Sequence, residues 1–213
     1  MRKVAVLGSG PVAKALARGL KAKGYEVRIG NRSSDKGAAL GKEIGVPAGT
    51  PADAAAWADG IVLAVAGRAA AEALAGAGAA NLRAKVVIDT TNPISAEPPV
   101  DGVLRFFTGP NDSLMERLQT AFPEARLVKA FNSVGNAFMV DPTFAGGKPT
   151  MFFCGNDAGA KADVARLIEQ LGWEPADMGT AAAARALEPL CQLWCIPGLR
   201  ENRWAHAFKL LRQ

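Results

Sequence analysis

The sequence has few of the residues that serve acid–base catalysis, metal binding or disulfide formation. Its 213 residues include one histidine, one tyrosine and three cysteines. So few cysteines, and an odd number, argue against a disulfide framework. Cys191 and Cys195, which share one helical face, are expected to be reduced thiols. A metal site would need more ligands, so we expect none, and His206 is expected to be a packed or exposed ring on the last helix.

Long apolar runs and clustered basic residues are also missing. The uncharged stretch from Gly60 to Gly67 is far shorter than the ~20 residues that cross a bilayer. The run Val4 to Leu7 ends at Gly8, too early for a signal peptide. The formal net charge is +5, but the scattered Lys and Arg residues disfavour nucleic acid and suit a small anionic ligand. We therefore expect a cytoplasmic protein without membrane or nucleic-acid partners.

The main pattern is an alternation of short apolar runs with stretches of helical spacing, which is typical of βαβ units. The runs are predicted to be buried parallel strands at Lys3 to Leu7, Tyr25 to Gly30, Gly60 to Val65, Lys85 to Asp89, Arg126 to Phe131 and Thr150 to Cys154. The predicted helices are Pro11 to Lys23, Asp35 to Ile44, Arg68 to Gly78, Asp112 to Phe122 and Asp157 to Leu171. The fold class is therefore α/β, a doubly wound, mostly parallel sheet with helices on both faces.

Beyond Asp177 the pattern becomes helical. Two helices are predicted, Ala181 to Leu193 and Arg203 to Leu211, separated by Ile196-Pro197-Gly198. We expect residues 1–179 to form one nucleotide-binding domain and residues 180–213 to form a short helical C-terminal extension packed on it. Several apolar residues of the tail indicate that it covers the core or meets a partner, and we expect a homodimer: Leu190, Leu193, Trp194 and Ile196.

The strongest local signal is Gly8-Ser9-Gly10-Pro11-Val12-Ala13, between the first strand and the first helix. Gly8 permits a tight turn, Gly10 lets the backbone approach a pyrophosphate, and Ala13 allows close packing of helix on strand. Pro11 suits a first helical turn whose free N–H groups attract phosphates. The strand-turn-helix context favours a Rossmann-type dinucleotide site over the alternative, a merely tight turn.

The second strand ends without the acidic residue that would hold the ribose 2′-hydroxyl of NAD. Asn31, Arg32, Ser33 and Lys36 follow it instead. A guanidinium and neighbouring donors suit the 2′-phosphate of NADP(H), which is therefore the favoured cofactor. The alternative is that Arg32 is simply a solvated loop charge.

Polar residues also stand at the ends of two later strands, where ligands bind in open α/β sheets. They are Thr91, Asn92, Asn132 and Ser133. Their backbone and side chains could hold the ribose, the nicotinamide amide or an acceptor, but each could equally be an ordinary turn former.

Four segments together resemble the family of coenzyme F420-dependent NADP oxidoreductases, and they are similar to the cytosolic reductase domain of the STEAP metalloreductases. The segments are Gly8 to Ala13, Gly30-Asn31-Arg32, Asp89-Thr90-Thr91-Asn92-Pro93 and Val128 to Gly135, of which Lys129-Ala130-Phe131-Asn132 is the more diagnostic. The resemblance implies hydride transfer between the nicotinamide and a small-molecule redox partner, a deazaflavin or flavin such as F420, FMN or FAD. It implies no strictly catalytic residue.

The same resemblance implies roles for particular residues. Ser9 to Val12, Asn31, Arg32 and Lys36 would hold the adenosine phosphates, Val65 and Ala66 would contact the ribose region, and Ala130, Asn132 and Val134 would line the nicotinamide side. Ser33 stands where the family often has a second arginine, which implies a softer preference for NADP over NAD.

Two other functions fit the same sequence. One is a short NADP-dependent dehydrogenase or imine reductase, although such enzymes normally add a long helical domain. The other is a non-catalytic NADPH-binding sensor or regulatory protein, because a fold does not fix a function.

Overall fold

The computed structural model describes all 213 residues. The strands, in chain order, are β1 Lys3–Leu7, β2 Glu26–Gly30, β3 Ala48–Gly49, β4 Gly60–Leu63, β5 Val86–Asp89, β6 Arg126–Lys129, β7 Thr150–Gly155 and β8 Glu174–Asp177. They form one eight-stranded sheet in the order β3-β2-β1-β4-β5-β6-β7-β8. The chain order reverses beside β1, and ligands of such sheets bind outside the carboxyl ends of the strands at this point.

The helices lie on both faces of the sheet, and the predicted Rossmann-type fold class is confirmed. They are α1 Pro11–Ala22, α2 Ser34–Ile44, α3 Pro51–Trp57, α4 Ala70–Ala77, α5 Ala79–Leu82, α6 Leu114–Ala121, α7 Ala158–Gln170 and α8 Ala184–Glu201. Local chemistry sets several ends. The Asp157 side chain accepts from the Ala160 N–H at 2.7 Å to begin α7, and Gly45 ends α2 with a φ of 71°.

Two apolar cores of similar size explain why the strands read as continuous apolar runs. Val4 and Val6 face the core beneath α1, α2 and α7, whereas Ala5 and Leu7 face the core beneath α3, α4, α6 and α8. Because successive strand side chains point to opposite faces, a strand covered on both sides must be apolar at every position.

The direction of one strand differs from the prediction. β7 was expected to be parallel, but it pairs antiparallel with β6, Lys129 lying opposite Cys154. Burial on both faces determines apolar composition but not direction, and no helix longer than a single 3₁₀ turn lies between β6 and β7 to carry a crossover. β7 therefore begins at the edge where β1 to β6 end. The short strands β3 and β8 and the helix α3 were not predicted.

The C-terminal tail also differs from the prediction. α8 continues through Pro197 to Glu201, and Arg203 to Leu211 is not helical. α8 buries Leu187, Cys191, Trp194 and Gly198 at helical spacing, and this packing opposes the ~3 kcal/mol that an internal proline costs a helix.

The chain after α8 instead runs extended past the start of β7. The Thr150 N–H donates to the Phe208 carbonyl oxygen at 2.9 Å, and the Leu210 N–H donates to Thr150 Oγ1 at 3.0 Å. These backbone contacts outweigh the helical spacing of the segment. None of the helices is both long enough and apolar enough to cross a membrane.

Trp173 gives a test of the core. Its ring is 1% exposed and its Nε1 donates to the Met139 carbonyl oxygen at 3.0 Å. Trp173→Phe should lower the free energy of unfolding in urea by about 1–3 kcal/mol, because it opens space and leaves that carbonyl unpaired. The control Trp204→Phe, at a ring 39% exposed, should change it by less than about 0.5 kcal/mol. Equal effects would contradict the packing described.

Candidate functional site

The turn between β1 and α1 leaves room for an anion. Gly8 has a φ of 130°, and a β-carbon there would overlap the Ala64 carbonyl oxygen. A β-carbon at Gly10 would meet nothing within 4 Å, so this backbone faces open space. Gly10 caps α1 without a side-chain hydrogen bond, so the first N–H groups of the helix are free for a ligand. The turn fits a dinucleotide pyrophosphate.

A cavity of about 590 Å³ opens beside this turn, at the carboxyl ends of β1, β2 and β4. It brings together most of the residues predicted for the nucleotide: Gly8, Ser9, Gly10, Asn31, Arg32, Ser33, Lys36, Val65 and Ala66. Pro11 lines an adjoining groove, and Val12 packs partly buried against the core.

Two of the predicted polar residues shape the loop, and two cations face the cavity. Asn31 Oδ1 accepts from the Ser33 N–H at 2.8 Å, and Ser33 caps α2. These contacts fix the turn after β2. The Arg32 side chain is 75% exposed and reaches Glu72 on α4, while Lys36 lies in the first turn of α2. Arg32 and Lys36 are the groups that would hold a 2′-phosphate.

The three residues predicted for the nicotinamide side, Ala130, Asn132 and Val134, do not line this cavity, and neither does Asn92. Ala130 is fully buried and Val134 is nearly so. Asn92 and Asn132 tie the loops after β5 and β6 together. Asn92 Nδ2 donates to the Asn132 carbonyl oxygen at 2.8 Å, and Asn132 Nδ2 donates to Asn92 Oδ1 at 3.0 Å and to the Leu187 carbonyl oxygen at 2.8 Å. Their side chains therefore hold the loops in place.

The tail brings aromatic rings to the same edge. A β-carbon at Gly135 would lie 2.8 Å from Trp194, so this ring packs directly on the loop after β6. His206 stacks on Trp194 with ring centroids 4.9 Å apart, and each residue hydrogen-bonds the carbonyl oxygen of the other. The prediction that His206 sits on a last helix is wrong, because residues 203–211 are not helical, but the ring is packed, as one of the two predicted alternatives had it. Trp204 packs on the same tryptophan at 5.6 Å.

A buried ionic network lies under these loops and was not predicted. Lys129 Nζ is fully buried, 2.6 Å from Asp89 Oδ2 and 3.0 Å from Glu188 Oε1, and it donates to the Thr91 carbonyl oxygen at 2.7 Å. Burial acts to lower the pKa of Lys129, but the Asp89 and Glu188 carboxylates outweigh it and hold that pKa above its ordinary value. The lysine is therefore a fixed cation.

Glu188 does more than neutralise this lysine. Its two carboxylate oxygens accept from the Leu114 and Met115 N–H groups at 2.9 and 3.0 Å, at the start of α6. An anion at a helix N-terminus pairs free N–H groups and meets the positive end of the helix dipole. The sequence signal that could have revealed the network is a charged residue inside each of two apolar segments, Lys129 in β6 and Glu188 in α8.

The three cysteines are free thiols, as expected. Burial raises the pKa of Cys154 to about 12, so this thiol is unreactive at neutral pH. Cys191 and Cys195 face each other on α8; the Cys191 contact lowers the pKa of Cys195.

Three features define a Rossmann-type dinucleotide-binding protein. They are the glycine turn at the start of α1, the cavity where the strand order of the mostly parallel sheet reverses, and the cations beside the second strand. The sequence profile of the NADP oxidoreductases that depend on coenzyme F420 matches residues 3–93. A protein of Arthrobacter sp. FB24, provisionally described as an F420-dependent NADP reductase, is 36% identical, with 100% of both chains covered and a TM-score of 0.92. The chain belongs to the family of coenzyme F420-dependent NADP oxidoreductases.

Two further relatives place the chain more broadly. Metalloreductase STEAP3 of Rattus norvegicus is 29% identical over 201 residues, which is 92% of this chain and 38% of that protein. The chain thus spans about two fifths of this curated relative. An imine reductase of Myxococcus stipitatus shares the fold, with a TM-score of 0.68 over 91% of this chain and 61% of that one, at 17% identity.

Arg32 gives a test of the adenosine end. Arg32→Ala should lower kcat/KM for NADPH about tenfold to a hundredfold without lowering it for NADH, because a charged contact to the 2′-phosphate is worth ~1.5–3 kcal/mol. Steady-state kinetics with both nucleotides check this. Arg83→Ala, which removes another exposed arginine that is ion-paired outside this cavity, should change neither value. An equal loss for NADPH and NADH would show that Arg32 does not read the phosphate.

Lys129 gives a test of the buried network. Lys129→Met should lower the free energy of unfolding by about 3–5 kcal/mol, because two buried carboxylates lose their cation. Urea denaturation measures this. Lys14→Met, at a lysine whose side chain is 40% exposed and whose partner Glu43 is 41% exposed, should cost less than about 1 kcal/mol. A loss in Lys129→Met no larger than that control would contradict the network.

The raised pKa of Lys129 also predicts how the stability difference between wild type and Lys129→Met depends on pH. The pKa of Lys129 is raised in the folded chain. Its contribution to the free energy of unfolding is therefore complete below the pKa of an unfolded lysine, about 10.4, and is lost as the pH rises through the folded pKa. The stability difference between wild type and Lys129→Met should be constant from neutral pH to about pH 9.5 and shrink above it. A difference that grows with pH would contradict this assignment.

Proposed function

We propose that this NADP-dependent oxidoreductase transfers a hydride between NADP(H) and a flavin or deazaflavin, with F420, FMN and FAD as the candidate acceptors. The observation that carries the proposal is the distribution of charge along the site. The charged side chains that line the cavity are Arg32, Lys36 and Glu72, and all three lie at the adenosine end. Hydride transfer between two ring systems depends on alignment more than on a proton donor.

The other ionisable groups near the nicotinamide end already have partners, and the His206 ring is hydrogen-bonded through Nε2 to the Trp194 carbonyl oxygen. Lys129 and Glu188 are buried and bound to each other, and Asp89 also accepts from the Thr91 N–H and hydroxyl. A paired, desolvated charge is poorly suited to exchange protons with a substrate. This argues for a reaction in which the protein orients two cofactors rather than acting as an acid or base.

The residues present fit NADP(H). The free N–H groups at the start of α1 would hold the pyrophosphate, and Arg32 with Lys36 would hold the 2′-phosphate. Bound NADP(H) supplies a hydride at carbon 4 of its nicotinamide ring. The Asn92 and Asn132 side chains, by fixing the loops after β5 and β6, would determine where that ring can lie.

The aromatic cluster supports a flat acceptor. The Trp194 ring is buried against Gly135 at the edge where β6 ends, and His206 and the partly exposed Trp204 pack on it. These outer rings would offer the flat aromatic surface against which a conjugated ring packs well. Among flat acceptors, F420 is favoured by the similarity over the whole chain to the Arthrobacter protein, whose name specifies that coenzyme.

The experiment is an anaerobic assay of NADPH oxidation with F420, FMN, FAD and a quinone offered in parallel, repeated with NADH. We expect turnover with one flavin-like acceptor and a preference for NADPH. NADPH binding with no turnover on any acceptor would instead favour a sensor. Turnover only with an imine or carbonyl substrate would favour a short dehydrogenase.

His206→Ala separates the two ends of the site in this assay. If the acceptor stacks on the His206 ring, removing that ring should raise the KM for the acceptor about threefold to tenfold, because a stacked aromatic contact is worth ~0.5–1.5 kcal/mol. The dissociation constant for NADPH should stay the same. A change in NADPH binding with no change in the acceptor KM would place the acceptor elsewhere.

A further inference from the structure

The cavity wall that faces Arg32 carries a single carboxylate. Glu72, Ala73, Ala75 and Gly76 of α4 line this wall together with Ala69 just before the helix, so one side of α4 is turned toward the cavity. Apart from Glu72 these residues are small and leave space for a flat group such as an adenine. Glu72 is thus the polar group that this face offers to a ligand.

Glu72 already holds the arginine assigned to the 2′-phosphate. Its Oε1 accepts from Arg32 Nη1 at 2.7 Å, which links the turn after β2 to α4 across the cavity. The Arg32 and Glu72 side chains are 75% and 66% exposed. Exposed ion pairs of this kind are weak and open readily. The charge of Arg32 is therefore balanced before any nucleotide arrives, but it is not locked.

This pair has opposite consequences for the two nucleotides. A 2′-phosphate must compete with Glu72 for Arg32 and is repelled by the carboxylate. A 2′-hydroxyl can donate a hydrogen bond to the carboxylate, as it does in sites specific for NAD. In such sites the acidic residue ends the second strand, whereas here it comes from α4.

We propose that Glu72 is a specificity-determining residue that makes the site accept NADH as well as NADPH. It competes with the 2′-phosphate for Arg32 and accepts a hydrogen bond from the 2′-hydroxyl of NADH. The inference rests on the nucleotide part of the proposed function and not on the identity of the acceptor. Nucleotide binding in the absence of any acceptor therefore tests it directly.

The test is calorimetric titration of NADPH and NADH into the full chain and into Glu72→Gln. The amide keeps the size of the side chain and removes its charge. The dissociation constant for NADPH should fall about threefold to tenfold, and that for NADH should rise about threefold or more. Glu124→Gln, at an exposed carboxylate 3.3 Å from Arg83 and outside this cavity, is the matched control and should change neither constant by more than about twofold.

A double variant tests the route of the effect. In an Arg32→Ala background, Glu72→Gln should strengthen NADPH binding clearly less than it does in the wild type, because there is no arginine left to release and only the direct repulsion of the 2′-phosphate is removed. A gain of the same size in that background would overturn the competition. Unchanged constants in Glu72→Gln, at an unchanged Tm, would overturn the proposal as a whole. Failure of the proposed acceptor would look different, because the binding ratios would shift as expected while no flavin was turned over.

Discussion

The buried contact between Lys129, Asp89 and Glu188 constrains the whole nicotinamide end of the molecule. A fully buried ammonium must be paired, so the ends of β5 and β6 and the second turn of α8 have to meet at one point. Glu188 extends the constraint to the start of α6, whose N–H groups it pairs. Asn132, through the Leu187 carbonyl oxygen, anchors the next loop to the same helix. The loops that would surround a nicotinamide are thus positioned by contacts that no ligand needs to form.

The adenosine end is organised in the opposite way. Arg32 and Glu72 are exposed, their pair is weak, and solvent screens them. A charge change there would alter which nucleotide is preferred without disturbing the buried network. In the proposed function, selectivity for the nucleotide and alignment of the reacting rings would therefore be carried by separate parts of the structure.

Local signals predicted the start of the fold well. β1, the glycine turn and α1 agree with the structure within a residue, because Gly8, Gly10 and Pro11 each satisfy a backbone requirement that can be read from the chain. The direction of β7 and the path of the tail were wrong because both depend on distant partners. An apolar strand reads the same in either direction, and the segment after α8 is held extended by Thr150, about 60 residues away in the chain.

The same distinction separates the parts of the site that could be predicted from those that could not. Arg32 follows the end of β2, and that position alone predicted its role. Its partner Glu72 is 40 residues away in the chain and belongs to α4. Glu188 and the start of α6 are separated by more than 70 residues. Yet Glu188 does carry a signal, since it stands between Leu187 and Pro189 on the buried side of a helix. An unpaired carboxylate there would cost several kcal/mol, so the sequence requires a partner for it even though only the fold can show that the partner is Lys129.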